Sequence, residues 1–347
     1  MTDRHSSSTT TAKGRCARAI GAAAGWLGMR RRPGSATSRA GRYTLGEKIG
    51  QGGMGAVYKA THDLLDRPAA VKLLRDEEAD QRALAQFERE VQITSRLTHP
   101  NTIGIYDFGR TDDGAFYYAM EFLDGIDLQT LVEREGPLPP ARVAHLLAQA
   151  AGALDEAHRA GLLHRDVKPA NLMVCQRGGI ADVVKVIDFG LVEDVSARAP
   201  GTASDGHRIT GTPLYLSPEA IAAPDAIDAR SDLYALGAVG YFLLTGVPPF
   251  SGRNVVEVCH HHVSSDPIAP SRRLGGEIPA GLERLILACL AKDPAERPAS
   301  AAALRDELVP LAAEWTAEQA ARSWRQPTTE RATIDRAEPY AMTALAA

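Results

Sequence analysis

Gly50-Gln51-Gly52-Gly53-Met54-Gly55 sets glycines at GxGxxG spacing in a chain of 347 residues. With no side chains in the way, the backbone of such a run can close onto phosphate groups. The residues after the run decide its use. In a dinucleotide site the glycines open a helix whose N-terminus holds a pyrophosphate. Here Ala56-Val57-Tyr58-Lys59-Ala60 reads as a strand, and no second βαβ unit comes after it. A loop of the GxxxxGK[ST] kind is missing too, since neither Gly50 nor Gly55 starts one. What remains is a glycine-rich hairpin able to cover a triphosphate, with an ordinary tight hairpin as its plain alternative. Ala69-Ala70-Val71-Lys72 then puts an ammonium on an apolar strand, where burial is costly unless a carboxylate pairs with it. Glu90, on a helix predicted over 80–97, is the natural partner.

A second group of reactive side chains lies in His164-Arg165-Asp166-Val167-Lys168-Pro169-Ala170-Asn171. Asp188-Phe189-Gly190 begins seventeen residues after Asn171, at the end of an apolar strand predicted over 183–187. With GQGGMGAVY before them and GTPLYLSPE after them, these motifs resemble the eukaryotic-type Ser/Thr protein kinases, in their bacterial branch. The resemblance covers about residues 43–310. It implies an α+β, bilobal protein-kinase-like fold: a small β-rich N-lobe with one main helix, and a larger, mainly α C-lobe.

Phosphoryl transfer spreads charge over three equatorial oxygens, so positioning and cationic stabilisation supply most of the catalysis. The resemblance implies ATP as phosphate donor, with Mg²⁺, or Mn²⁺ in its place, held by hard oxygen ligands. Asp188 and Asn171 would be those ligands. Asp166 would accept or orient the proton of the attacking hydroxyl. Lys168 would neutralise the γ-phosphate, and a lysine there resembles the Ser/Thr rather than the Tyr class. Lys72, fixed by Glu90, would take the α/β-phosphates. Ile49, Gly50, Gln51, Gly52, Gly53, Met54 and Gly55 would cover them.

Carried over in the same way, Met120 resembles the gatekeeper, and Glu121-Phe122-Leu123 the hinge that bonds adenine. Val57, Ala70 and Met173 would sandwich the base. Asp127 stands where the family often contacts ribose, although an Asp there could equally cap a helix beginning near Leu128. Residues 188–219 resemble an activation loop, with Arg165 offering a basic pocket for a loop phosphate. Thr202, Ser204 and Thr210 are the acceptor candidates for autophosphorylation, and Thr212 would bond Asp166 and Lys168 to position the substrate. Glu219 would pair with Arg297, and Asp232 would hold the backbone of the 164–166 loop. These last roles are structural.

The elements that must carry these groups are legible in outline. Strands are predicted over 43–49, 56–62, 68–74, 102–108 and 115–123. Helices are predicted over 141–160, 232–245, 280–291 and 300–311, the second of them apolar on every face. The domain layout is a basic tail expected to be disordered over 1–42, a kinase domain over 43–311 (lobes 43–122 and 123–311), and a polar tail over 312–347. Helical character in that last tail is expected through Gln319 at most.

Composition narrows the class. With 44% hydrophobic and 24% charged residues the chain is neither disordered nor collagen-like. Its net charge of −4 gives no argument for nucleic acid, although residues 1–42 hold nine Arg/Lys against Asp3 alone. That arm could meet acidic partners, anionic lipid or the acidic body itself. Four scattered cysteines suggest a reducing compartment. No run of 18 apolar residues predicts a spanning helix, so a cytoplasmic protein is expected. Cys259-His260-His261-His262 invites a metal reading, but neighbouring residues on a helix point apart. The expected partners are proteins with Ser/Thr acceptors, with transient self-association for autophosphorylation in trans. The alternatives are a pseudokinase scaffold, disfavoured by the presence of Lys72, Asp166 and Asp188, and a small-molecule kinase, disfavoured by Lys168 and the 211–219 segment.

Overall fold

The computed structural model describes residues 39–52, 55–74, 91–189 and 213–325. Strands β1 (Arg39–Ala40), β2 (Tyr43–Gly52), β3 (Gly55–His62), β4 (Arg67–Leu74), β5 (Ile105–Arg110) and β6 (Phe116–Glu121) form one antiparallel sheet. Their order is β1-β2-β3-β4-β6-β5. β6 is buried along its whole length, and so is Ala69–Lys72 of β4, as suits a run of aromatic and apolar residues in the middle of a sheet. The register sets Val57 opposite Lys72, Ala70 opposite Met120, and Lys72 opposite Tyr118.

The strands differ from the sequence reading at their ends, for tertiary reasons. β2 runs on to Gly52 because the hairpin stays paired to its tip, Gly52 opposite Gly55. Gly55 is needed there: its φ is +155°, and a Cβ would lie 1.9 Å from the Leu73 carbonyl oxygen. β5 starts at Ile105 rather than 102, since Thr102 is bridged to Val186 in the other lobe. Arg39–Ala40, expected within a disordered tail, adds an edge strand and buries Ala40 against Tyr43 and Tyr117. Of the helix predicted over 80–97, residues 91–97 are described: 91–94 are helical, while 95–97 have already left the helix, so it ends three residues early.

The larger lobe is built on α1 (Leu128–Glu135), α2 (Pro140–Arg159), α3 (Pro218–Ala222) and α4 (Ala229–Thr245). After them come α5 (Val255–Ser264), α6 (Pro270–Leu274), α7 (Ala280–Cys289), α8 (Ala301–Leu311) and α9 (Ala317–Arg325). A three-stranded sheet of β7 (Gly125–Asp127), β8 (Leu172–Arg177) and β9 (Ile180–Val186) faces the first sheet across the hinge. α4 opens three residues before its apolar run because Asp228 caps it, accepting from the Arg230 N–H at 2.8 Å. Gly246 at φ +76° stops it. From Ser231 to Thr245 every residue of α4 is buried, and it packs with α2 and α7 in one apolar core. The bilobal α+β architecture is thus the one expected.

The fold continues past 311. α9 extends to Arg325, and Trp315 and Trp324 plant their indole N–H groups on the Asp182 carboxylate of β9 at 3.0 and 2.7 Å. Among the described residues no helix is long and apolar enough to cross a membrane.

Candidate active site

The roof of the cleft is the β2–β3 hairpin with β4 and β6. Val57, Ala70, Met120 and Leu123 share one apolar cluster with Ile103, Phe116 and Tyr118. Met173 lies on β8 of the opposite lobe, paired in register with Asp127. These residues can enclose a flat apolar ring between the two sheets. A Cβ at Gly50 would meet Val57 at 3.7 Å, an ordinary contact, so the strand itself does not demand glycine there. Ile49 is exposed beside it.

The floor is the 164–171 loop. Asp232, buried at the start of α4, accepts from the His164 and Arg165 N–H groups at 2.8 Å each, and its Oδ2 also meets His158 Nε2 at 2.8 Å. Burial pushes the Asp232 carboxyl upward, but the His158 contact, His164 and the loop N–H outweigh it and hold it below the usual Asp value. The anchored loop takes Arg165 through φ +63°. Lys168 Nζ lies 2.8 Å from Asp166 Oδ2, and Asn171 Nδ2 donates to the same oxygen at 2.9 Å and to the Asp166 carbonyl at 2.8 Å. Both of these donors fall on Oδ2 rather than Oδ1. With Nδ2 so engaged, the amide oxygen of Asn171 is the side-chain atom that could serve as a ligand.

Asp188 closes the site from the end of β9, at φ +57°. Its Oδ2 pairs with Lys72 Nζ at 3.0 Å, and its Oδ1 accepts from the Tyr118 hydroxyl at 2.9 Å. Burial raises the Asp188 carboxyl, yet Lys72 and Tyr118 together hold it below the ordinary Asp range. Tyr118 is driven well above the usual phenol range, by burial first and Asp188 second, so it remains a donor. His164 Nε2 lies 3.0 Å from the Ile187 carbonyl oxygen, to which it donates, and the His164 ring lies 4.9 Å from buried Phe189. Glu90 lies outside the described residues, as do Gly53, Met54, Thr202, Ser204, Thr210 and Thr212.

The hinge carries chemistry that the sequence reading missed. The Glu121 side chain, 3% exposed, takes Lys185 Nζ and Arg177 Nη2 at 2.6 Å each and the Gly104 N–H at 3.0 Å. Lys185 stands opposite Met173 on β9, so Glu121 ties the hinge to the second sheet. An alternating strand with one lysine signals nothing of this until the lobes are assembled. Asp127 accepts from the N–H and hydroxyl of Thr130, both at 2.9 Å, which makes it the cap of α1.

Farther out, Glu219 and Arg297 form a bidentate pair at 2.6 and 2.8 Å, with the Arg297 side chain fully buried. The three consecutive histidines diverge: His260 meets Ser264, His261 meets Ser265, and buried His262 meets the Tyr234 hydroxyl at 2.8 Å. Among the described residues no group of three or more His, Cys, Asp or Glu side chains could hold a metal by itself. Asp188 and Asn171 offer two hard oxygen donors, so phosphate oxygens and waters would have to complete a cation's shell, as is common for Mg²⁺ beside nucleotides.

The protein kinase domain family model matches residues 43–309. The serine/threonine-protein kinase pkn3 of Myxococcus xanthus is 43% identical over 271 residues, which is 77% of this chain and 49% of that protein. PknB of Mycobacterium tuberculosis is 42% identical over 272 residues, 77% of this chain and 42% of that protein. The chain thus spans about half the length of these relatives or less. The crystal structure of the M. tuberculosis PknI kinase domain superposes with a TM-score of 0.60 at 29% identity, covering 80% of this chain and all of that one.

Proposed function

Because the chain belongs to the protein kinase domain family, we propose that it transfers the γ-phosphate of ATP to serine and threonine hydroxyls of proteins. One observation carries the reading. Asp166, Lys168 and Asn171 are bonded to one another on the floor of the cleft, and Lys72 reaches Asp188 at 3.0 Å from the roof. That arrangement supplies a proton acceptor, two cations for phosphate and two oxygen ligands for a metal.

Asp166 holds the acceptor hydroxyl through Oδ1 and takes its proton as the phosphoryl group moves. Lys168, already beside Asp166, meets the charge that develops on the transferred group. Lys72 orients the α/β-phosphates, and the glycine-rich hairpin covers them with N–H groups. Asp188 and Asn171 would hold Mg²⁺, or Mn²⁺, which supplies shielding of phosphate charge when bound. Val57, Ala70, Met120, Leu123 and Met173 seat the adenine. The reading extends to autophosphorylation in trans between transiently associated copies at Thr202, Ser204 or Thr210, with Thr212 positioning the substrate, and to work in the cytoplasm where ATP is available.

The test is phosphate transfer from Mg-ATP to the protein itself and to casein as a generic acceptor, beside Asp166→Asn. Transfer by the wild type and its loss in the variant are expected. No transfer by folded wild type to either acceptor would overturn the reading. Phosphopeptide mapping of active protein locates the modified residue.

A further inference from the structure

We propose that Tyr118 is a positioning residue for Asp188: its hydroxyl and the Lys72 ammonium each hold one carboxylate oxygen, so a divalent cation loads by displacing Tyr118 from Oδ1. The inference rests on the reading of Asp188 as a cation ligand.

The register puts Tyr118 directly opposite Lys72 on adjacent strands, which brings both side chains to the same face of the sheet. Tyr118 is 2% exposed and sits among Ala70, Val91, Ile103, Phe116 and Met120. A phenol buried in apolar company needs a partner for its O–H, and the carboxylate provides one at 2.9 Å. Lys72 Nζ lies 5.8 Å from the centre of the same ring while it binds Oδ2 at 3.0 Å. The three groups form one unit. The Asp188 side chain keeps 23% of its surface, more than either partner. Tyr118 thus holds Oδ1 from a buried position within the sheet. A hard cation beside the phosphates needs that oxygen turned outward, so the hydroxyl and the cation compete for it.

The test uses the full chain and measures Mn²⁺ binding by electron paramagnetic resonance, with ADP held saturating, in wild type, Tyr118→Phe and Tyr118→Met. Removing the hydroxyl while keeping an apolar side chain should tighten Mn²⁺ roughly tenfold, the equivalent of about one hydrogen bond to a charged group. General damage to the sheet would weaken binding instead, so the direction of the change separates the two. Unchanged or weaker Mn²⁺ binding in either variant, with a cooperative melt retained, overturns the proposal. If Phe prevents folding, Met carries the comparison. Asp188→Asn is measured alone and with Tyr118→Phe. Should Asp188→Asn lose Mn²⁺ while Tyr118→Phe has no effect in the wild-type background, the role of Tyr118 falls alone. If Asp188→Asn binds Mn²⁺ as tightly as wild type, the assignment of Asp188 beneath it falls.

Discussion

The indole N–H of Trp324 donates to the Asp182 carboxylate at 2.7 Å, and Asp182 is completely buried. Trp315 and two nitrogens of Arg142 supply the other donors to the same carboxylate, at 2.9–3.0 Å. A buried charge with every lone-pair direction answered is stable only while its donors remain. Trp324→Phe keeps a six-membered aromatic ring but removes the indole N–H and its charge-assisted bond, at an expected cost of about 1.5–3 kcal/mol. Asp182→Ala should cost about 3–5 kcal/mol, because Arg142 is then left with Glu135 alone. Urea unfolding midpoints check both.

Acid should weaken the fold in two stages. Burial lowers His262 from 6.5 to about 4, so between those values the unfolded chain takes up a proton that the folded one refuses. That group's contribution declines as pH falls from 6.5, by up to about 1.4 kcal/mol per pH unit. Partial burial raises the Glu219 carboxyl, but hydrogen bonds from Arg297 and Ser231 bring it below 4.5. Asp232 lies below 3.8 in the same way. Their contributions are complete above those unfolded values and disappear as pH drops through the lower folded ones. Urea unfolding at a series of pH values should show the first stage flattened in His262→Gln and the second retained.

Removing Lys185 should register at the hinge. Lys185→Met leaves the Glu121 carboxylate with Arg177, which is half exposed, and the Gly104 N–H. A loss of about 1–3 kcal/mol in stability is expected. The KM for ATP should rise several-fold with a smaller change in kcat, since the altered contact holds the hinge and not the reacting groups. Equal falls in kcat and kcat/KM at constant KM would contradict this.

Asp232→Asn tests the anchoring of the floor. The amide keeps the volume but loses the charge that three donors share. A shift of the 164–166 backbone by a fraction of an ångström moves Asp166, and kcat should drop by roughly tenfold to a hundredfold. Nucleotide affinity, read by titration, should stay near the wild-type value.

Much of this was written locally in the chain. Asp166, Lys168 and Asn171 fall within one short loop, so their meeting comes from backbone connectivity. The helix over Ala229–Thr245 comes from an unbroken apolar run over 233–244, with Asp228 capping its start and Gly246 ending it. Glycine spacing and the strand after it distinguish a covering hairpin from a helix-opening loop. Other features were hidden. The 312–325 segment reads as a polar tail because its apolar residues are alanines and two tryptophans, with no Val, Ile, Leu, Met or Phe to mark a core face, and its attachment depends on two indoles reaching a carboxylate far away in sequence.

By itself, then, the sequence determined the order of the main elements and the two lobes, and marked the residues proposed for phosphate chemistry, because period, caps and short motifs depend on near neighbours. Tertiary structure alone decided which partners the isolated charges take. Lys72 meets Asp188 beside Tyr118, Glu121 meets Lys185, and Asp182 meets Trp324 only when strand register and lobe packing bring them together. A buried charge or phenol is costly without a partner, but its own type and position do not say which distant group will answer it.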